Sequence, residues 1–348
     1  MIGRIPGLVL AAAVAAAPWP AAAQTDSPGS LRLKSTVKVR RAWAARYQDS
    51  RHGPEVTERF NRTIKVGRSG ALDLSNVAGD IVVTGGSGDE IRIEAIKRAR
   101  SRSGDAQQLL EELRIEVSEM ANRVEVRTLY PRNRRNYSAS VDYSIAMPSS
   151  GSATLRTVSG DVRVTNVKGE LRAESVSGDV VAGGAARLAL LKTVSGDVEL
   201  TEASSESEVT VSSVSGGLTV RGLKARSVDL NSISGDLLLT GITADRATVK
   251  TVSGSIEYSG PLARSGRYEL TAHSGSLRLA ISGTTGFEVE ATTFNGDIRS
   301  DFPLTLRGSV EGSGRRSRLN RSIRGSYGDA SAIVTLKSFS GDIVITKR

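Results

Sequence analysis

The chain has 348 residues, no cysteine, two histidines, 4% aromatic residues, 36 glycines and a formal charge of +10. The missing cysteines exclude a disulfide framework, thiolate metal sites and cysteine nucleophiles, and two histidines leave little for a zinc site or a His-centred triad. So few rings argue against an ordinary globule, whose core takes much of its buried area from aromatic side chains.

Residues 1–23 read as an export signal peptide. Arg4 supplies the charged start, Leu8 to Ala17 the short apolar run, and Ala21-Ala22-Ala23 a small-residue cleavage site before Gln24. The run is too short, and too broken by Pro18 and Pro20, for a good membrane span. The expected product is exported, periplasmic or extracellular, with no transmembrane segment after cleavage. Residues 24–70 are basic and aperiodic, an expected arm or linker that carries His52. Residues 71–148 are expected to form a β-rich N-terminal cap containing a first repeat, SNVAGDIVV at 75–83. Inside that cap SGDAQQLLEEL (103–113) predicts the one short helix, with Asp105 near its N-cap and Leu109, Leu110 and Leu113 on one face. The alternating segments LRIEVSEM (113–120), NRVEVRTL (122–129) and SASVDYSIAM (138–147) predict strands, the last stopped by Pro148.

From residue 149 a repeat dominates: TVSGDVRV (157–164), SVSGDVVA (175–182), TVSGDVEL (193–200), SVSGGLTV (213–220), SISGDLLL (232–239), TVSGSIEY (251–258), HSGSLRLA (273–280), TFNGDIRS (293–300) and SFSGDIVI (338–345). Its turn glycines are Gly160, Gly178, Gly196, Gly216, Gly235, Gly254, Gly275, Gly296 and Gly341, 18–21 residues apart except for a last step of 45, which reads as about two further periods. Each unit is strand alternation broken by a Ser-Gly-Asp turn, and stacked copies would bury a shared apolar face while satisfying the backbone ladder. The expected fold is all-β, a single-stranded parallel β-solenoid (β-helix) of about ten coils over residues 149–348. The expected core rows are Val158, Val176, Val194, Val214, Ile233 and Val252, ending in Phe294 and Phe339, which would explain the scarcity of rings. An Arg-rich stretch at 303–325 reads as an excursion from the coils. A sandwich of antiparallel hairpins is the alternative, but apart from Asn295-Gly296 the chain lacks the two-residue Asn-Gly or Asp-Gly turns that such pairing favours.

Several residues are candidates for chemistry. Asp161, Asp179 and Asp197 share one motif slot with Asp236, Asp297 and Asp342, and a column of carboxylates could attract calcium. Against a metal, the slot also holds Gly217, Ser255 and Ser276, and each Asp could instead close its own turn. Basic clusters at Lys97, Arg98, Arg100 and Arg102, at Arg132, Arg134 and Arg135, and at Arg315, Arg316, Arg318, Arg321 and Arg324 could hold an anionic polysaccharide or lipopolysaccharide phosphate. Solvated loops are their ordinary meaning, and without interleaved aromatics they do not suit nucleic acid. His273 stands near a turn without an evident catalytic partner. The coil spacing leaves room only for tight turns, so no cofactor and no enzymatic activity are expected; a carbohydrate-active β-helix enzyme is the alternative of a different class.

The segment SVDYSIAMPSSGSATLRTVSGDVRV (140–164), followed by the Thr-Val-Ser-Gly-Asp ladder that ends in SFSGDIVI, resembles the bacterial β-strand-repeat family called domain of unknown function 4097, which carries an adhesin label. The resemblance covers roughly residues 70–348. It implies an envelope-associated β-solenoid acting as an adhesin-like binding or scaffolding module, with an envelope or surface protein as partner.

Overall fold

The parallel ladder follows from what each coil does with its side chains. The computed structural model describes residues 55–101, 105–131, 137–306 and 321–348, all within one unit, Ser50–Arg348. The segment read as an export signal, most of the basic arm, and His52 lie outside the described residues.

The described chain enters as β1 (Glu55–Lys65) and makes a first coil from β2 (Ala71–Ser75) and β3 (Ile81–Gly86). It then runs through β4 (Glu90–Ser101), α1 (Ala106–Glu112), β5 (Arg114–Met120), β6 (Arg123–Leu129) and β7 (Tyr137–Pro148). The repeat resumes with β8 (Ser152–Ser159) and β9 (Val162–Thr165), then β10 (Glu170–Ser177) and β11 (Val180–Gly183). Next come β12 (Arg187–Lys192) and two long strands that each span both faces, β13 (Val198–Ser212) and β14 (Leu218–Ser234). β15 (Leu237–Thr240), β16 (Thr243–Ser253), β17 (Ile256–Pro261), β18 (Arg267–Ser274), β19 (Leu277–Ser282), β20 (Phe287–Asn295) and β21 (Ile298–Ser300) follow. β22 (Thr305–Leu306) and β23 (Arg321–Tyr327) lead to the closing β24 (Ala332–Ser340) and β25 (Ile343–Lys347).

In the coil of β8 and β9, Ala153 and Leu155 point inward, the chain turns at Ser159-Gly160-Asp161, and Val162 and Val164 point back into the same interior. Every coil repeats this, so one face stacks β2, β8, β10, β12, β13, β14, β16 and β18 in parallel. The other stacks β3, β9, β11, β13, β14, β15, β17 and β19. A single cluster of Val, Leu, Ile and Ala fills the space between the faces. Each fully buried aliphatic side chain there contributes about 1.5–3 kcal/mol.

The structure corrects the sequence reading in four places. First, the ladder is not purely parallel: β4 runs antiparallel to β1 and β7, β5 to β6, and β23 to β20 and β22. A parallel stack leaves an open apolar interior and bare strand edges at both ends, and these antiparallel strands cover them.

Second, chain order is not spatial order. β24 and β25 insert between β18–β19 and β20–β21, so the 45-residue step is an excursion and not two further coils. Likewise β6 and β7 stack beneath β2 and β3 although they follow them in the chain.

Third, the segment assigned to the basic arm contributes β1, whose Ile64 is buried. Fourth, the row expected to be the core lies on the outside: Val158 is 48% exposed, Val176 45%, Ile233 51% and Val252 50%.

The two ends are closed by the residues that break the pattern. α1 starts after Asp105, whose side chain makes no capping bond, and buries Leu109 and Leu110, with Leu113 just beyond, where β4 and β1 pack on it. At the other end Phe287, Phe302 and Tyr327 pack ring against ring with centroids 4.8–5.7 Å apart. These three aromatics thus close the end where a Val rung would leave the core open. Among the described residues no helix is long and apolar enough to cross a membrane.

The corner glycines form a column. In spatial order they are Gly79, Gly160, Gly178, Gly196, Gly216, Gly235, Gly254, Gly275, Gly341 and Gly296, and a Cβ on each after the first would overlap the carbonyl of the one before. Gly196→Ala should therefore lower stability by about 3 kcal/mol or more, because the obstruction is backbone that cannot swing away. Gly283→Ala tests the conformational part alone: Gly283 has φ +96° but open space around it, so about 1 kcal/mol is expected. Urea unfolding of both variants checks this, and equal losses would remove the steric explanation.

Candidate functional site

The corner is where the repeat puts its most regular chemistry. Reading outward from the core, most coils present a Thr or Ser, a Val, Ile, Phe or His, and then a turn of Ser-Gly-Asp type.

The hydroxyl residue points inward. Thr193 is fully buried and its Oγ1 donates to the carbonyl of Gly178 at 2.9 Å. Ser175 donates to Gly160 (3.1 Å), Ser213 to Gly196 (3.0 Å), Ser232 to Gly216 (3.0 Å), Ser338 to Gly275 (3.1 Å) and Thr293 to Gly341 (2.9 Å). The neighbouring carbonyls of Ser177 and Asp179 accept ladder amides, from Gly160 and Val162, so the hydroxyl serves the corner carbonyl that the ladder passes by. At the first coil Asn76 does this instead, its Nδ2 reaching Gly79 at 3.3 Å. The Oγ1 of Thr157, the residue that would otherwise serve that carbonyl, is left without a partner.

The aspartate also bonds along the stack. The amide of Asp179 donates to Asp161 Oδ1 (2.9 Å), that of Asp197 to Asp179 (2.8 Å), and that of Gly217 to Asp197 (2.8 Å). Asp80 accepts from Asp161, Asp236 from Ser255 and Asp342 from Asp297 in the same way. Each carboxylate therefore closes the next coil's turn and not its own. The structure brings Asp161, Asp179 and Asp197 into a column, and among the described residues no group of three or more His, Asp or Glu side chains is placed to hold a metal ion.

Between the buried hydroxyls and the turn runs an exposed apolar ridge. The strand registers place Val77, Val158, Val176, Val194, Val214, Ile233, Val252, His273, Phe339 and Phe294 in one line. His273 stacks on Phe339, and Phe339 on Phe294, with both centroid distances 4.9 Å and planes within 8° and 3° of parallel. The sequence reading missed this ridge because it counted alternation straight through the turn. Counted from Leu155, the parity is available in the sequence: Thr157 goes in and Val158 goes out.

The basic clusters divide differently. Lys97 is buried along β4 and donates to Glu58 at 3.1 Å, while Arg98 pairs with Asp142 and Glu55, and Arg100 with Glu55. Among the described residues these three cations are each paired with a carboxylate from β1 or β7. Arg321 pairs with Asp297, and Arg324 holds Glu290 at 2.6 Å. Arg102, Arg132, Arg134, Arg135, Arg315, Arg316 and Arg318 lie outside the described residues.

The groups with the largest shifts in acidity are interior tyrosines. Burial pushes the Tyr258 hydroxyl far above its ordinary range, with Tyr268 adding to it, burial does the same to Tyr143, and burial also raises Tyr268. Tyr268 donates to the Ala244 carbonyl at 2.6 Å, and Tyr143 shares a hydrogen bond with Thr128 at 2.7 Å. Protonated and tied to the scaffold, they act as packing.

Two stretches of the sequence, 63–207 and 185–346, match one family model, Toastrack DUF4097. The chain belongs to the Toastrack DUF4097 family. No curated protein matches the sequence. Solved structures similar to this Toastrack chain include a "putative lipid binding protein" from Parabacteroides distasonis (11% identity, 84% of this chain, 97% of that one, TM-score 0.45). A "putative adhesin" from the same organism gives 11%, 84%, 97% and 0.43, and one from Bacteroides fragilis gives 13%, 84%, 97% and 0.41.

The Toastrack corner carries a direct test of the carboxylate column. Asp197→Ala should cost about 1 kcal/mol by orphaning the Gly217 amide, whereas Asp197→Asn keeps an acceptor and should cost less than half of that. Adding calcium or chelator should leave the melting temperature of the wild type unchanged. A calcium-dependent rise that disappears in Asp197→Asn would show a cation site instead.

Proposed function

We propose that this Toastrack chain is a non-catalytic, adhesin-like binding or scaffolding module of the bacterial envelope, exported by its N-terminal segment, with the corner ridge as its working surface. The observation that carries the reading is the continuity of the ridge. Single exposed aliphatic residues are ordinary on protein surfaces, but an unbroken line of them is a feature of interaction sites. The line is held by corner glycines in backbone contact and by hydroxyl and carboxylate bonds from coil to coil, so its geometry is preorganised and little ordering entropy is lost on binding.

The same features support a non-enzymatic reading. The interior tyrosines stay protonated and hydrogen-bonded to the scaffold, and His273 is engaged in ring stacking with Phe339. The neutralised cluster on β4 also weighs against a polyanion site there.

Binding of purified protein to envelope fractions of the producing bacterium tests the proposal. Ile233→Lys combined with Val252→Lys should reduce binding at least about tenfold, and wild-type binding should persist near 0.5 M salt because apolar contact is not screened. Leu238→Lys, on the outside of the opposite face, should bind as wild type. Undiminished binding by the ridge variant, or turnover on an acidic polysaccharide panel, would overturn it.

A further inference from the structure

We infer that the occupant of the ridge is a second copy of this chain, docked ridge to ridge with the two stacks side by side and running in the same direction. The inference rests on the reading of the ridge as the working surface and names its partner.

Three observations lead there. The first is pitch. Successive ridge residues sit on hydrogen-bonded neighbouring strands, so they repeat at about 4.8 Å. A partner that contacts the whole line must present apolar groups at the same interval, and another copy does so along its full length.

The second is area. With Val, Ile and Phe positions close to half exposed, the ridge offers on the order of 700 Å², near the roughly 800 Å² per partner of a standard stable interface.

The third is charge. The ridge is flanked asymmetrically. On its corner side stand the exposed carboxylates of Asp179, Asp197, Asp236 and Asp342, and on its other side the exposed ammonium groups of Lys192, Lys250 and Lys337. None of these seven appears in an ion pair among the described residues. A twofold axis parallel to the stacking direction sets each copy's carboxylate column against the other's row that holds the three lysines, a row whose one acid, Glu174, is paired with Arg156. Lys192 then faces the second copy's Asp197, and Lys337 its Asp342. A twofold axis across the stack would set acid against acid and lysine against lysine, so charge selects the parallel arrangement. The carboxylate column equally opposes an anionic lipid surface along this edge.

The absence of native cysteine makes the test direct. Full-length single-cysteine variants Val77→Cys, Ile233→Cys and Phe294→Cys should each cross-link to themselves under mild oxidation, and Leu238→Cys should not. Sedimentation equilibrium should show a dimer for wild type. Lys192→Glu with Lys337→Glu should weaken it at least about tenfold, and adding Asp197→Lys with Asp342→Lys should recover most of that loss.

Cross-linking only of Ile233→Cys, together with a mixed Val77→Cys and Phe294→Cys product, would mean an antiparallel pair and would overturn the inference. A monomer that forms no cross-links overturns it too. If that monomer still binds envelope through the ridge, the functional reading stands and the partner is another molecule; if it binds phosphatidylglycerol vesicles through the ridge, the partner is lipid. A ridge-dependent dimer that ignores envelope would uphold this inference and sink the functional reading alone.

Discussion

The backbone contact at the corner governs the rest of the molecule. Each corner glycine sits so close to the carbonyl of the glycine one coil before it that no Cβ fits between them. That approach sharpens the turn, and it also takes the corner carbonyl out of line with the ladder, where no amide reaches it. A hydroxyl must then come from the adjacent inward position, which accounts for Thr193, Ser213 and Ser232 in a slot that a core would otherwise fill with aliphatics. The amide after the glycine needs an acceptor as well, and the Asp of the preceding coil supplies it. With hydroxyls inside and carboxylates beyond the turn, the residue between them has only the outer surface left. The exposed ridge is thus a geometric consequence of the corner, and its apolar identity, broken only at His273, is a property that packing does not demand.

This arrangement places the core and the ridge on opposite sides of one strand. The interior holds the aliphatic rungs and the hydroxyl bonds, while the ridge residues lie on the outer surface. Local exceptions fall at the ends and in the last coils: Ala272 replaces the hydroxyl residue where β18 meets β24, and His273, Phe339 and Phe294 replace the aliphatic ridge from there on. The aromatic plug of Phe287, Phe302 and Tyr327 lies at the same end.

The repeat, its period, the short helix and the strands around it were all legible in the sequence, because local alternation and the Ser-Gly-Asp spacing are local properties. Three things were not. The direction of Val158 is not legible from the repeat unit alone, because the turn resets parity between Val158 and Val162; it follows only when the count starts upstream at Leu155. The order of the last coils is invisible to spacing, since Gly296 and Gly341 are equally good corners and only pairing shows that Gly341 lies between Gly275 and Gly296. The neutralisation of Arg98 and Arg100 depends on Glu55 and Asp142, which β1 and β7 bring from some forty residues away in either direction. Strand pairing over that range has no local signature.

The claim that the corner turns Thr inward and Val outward is tested most directly by comparing Thr193→Val with Val176→Thr in urea unfolding. Thr193→Val makes the interior more apolar at constant volume, yet it should lose about 1–3 kcal/mol because the Gly178 carbonyl forfeits its donor. Val176→Thr makes the chain more polar and should change stability by less than about 0.5 kcal/mol. The reverse ranking, with Thr193→Val neutral or stabilising and Val176→Thr costing several kcal/mol, would contradict the account.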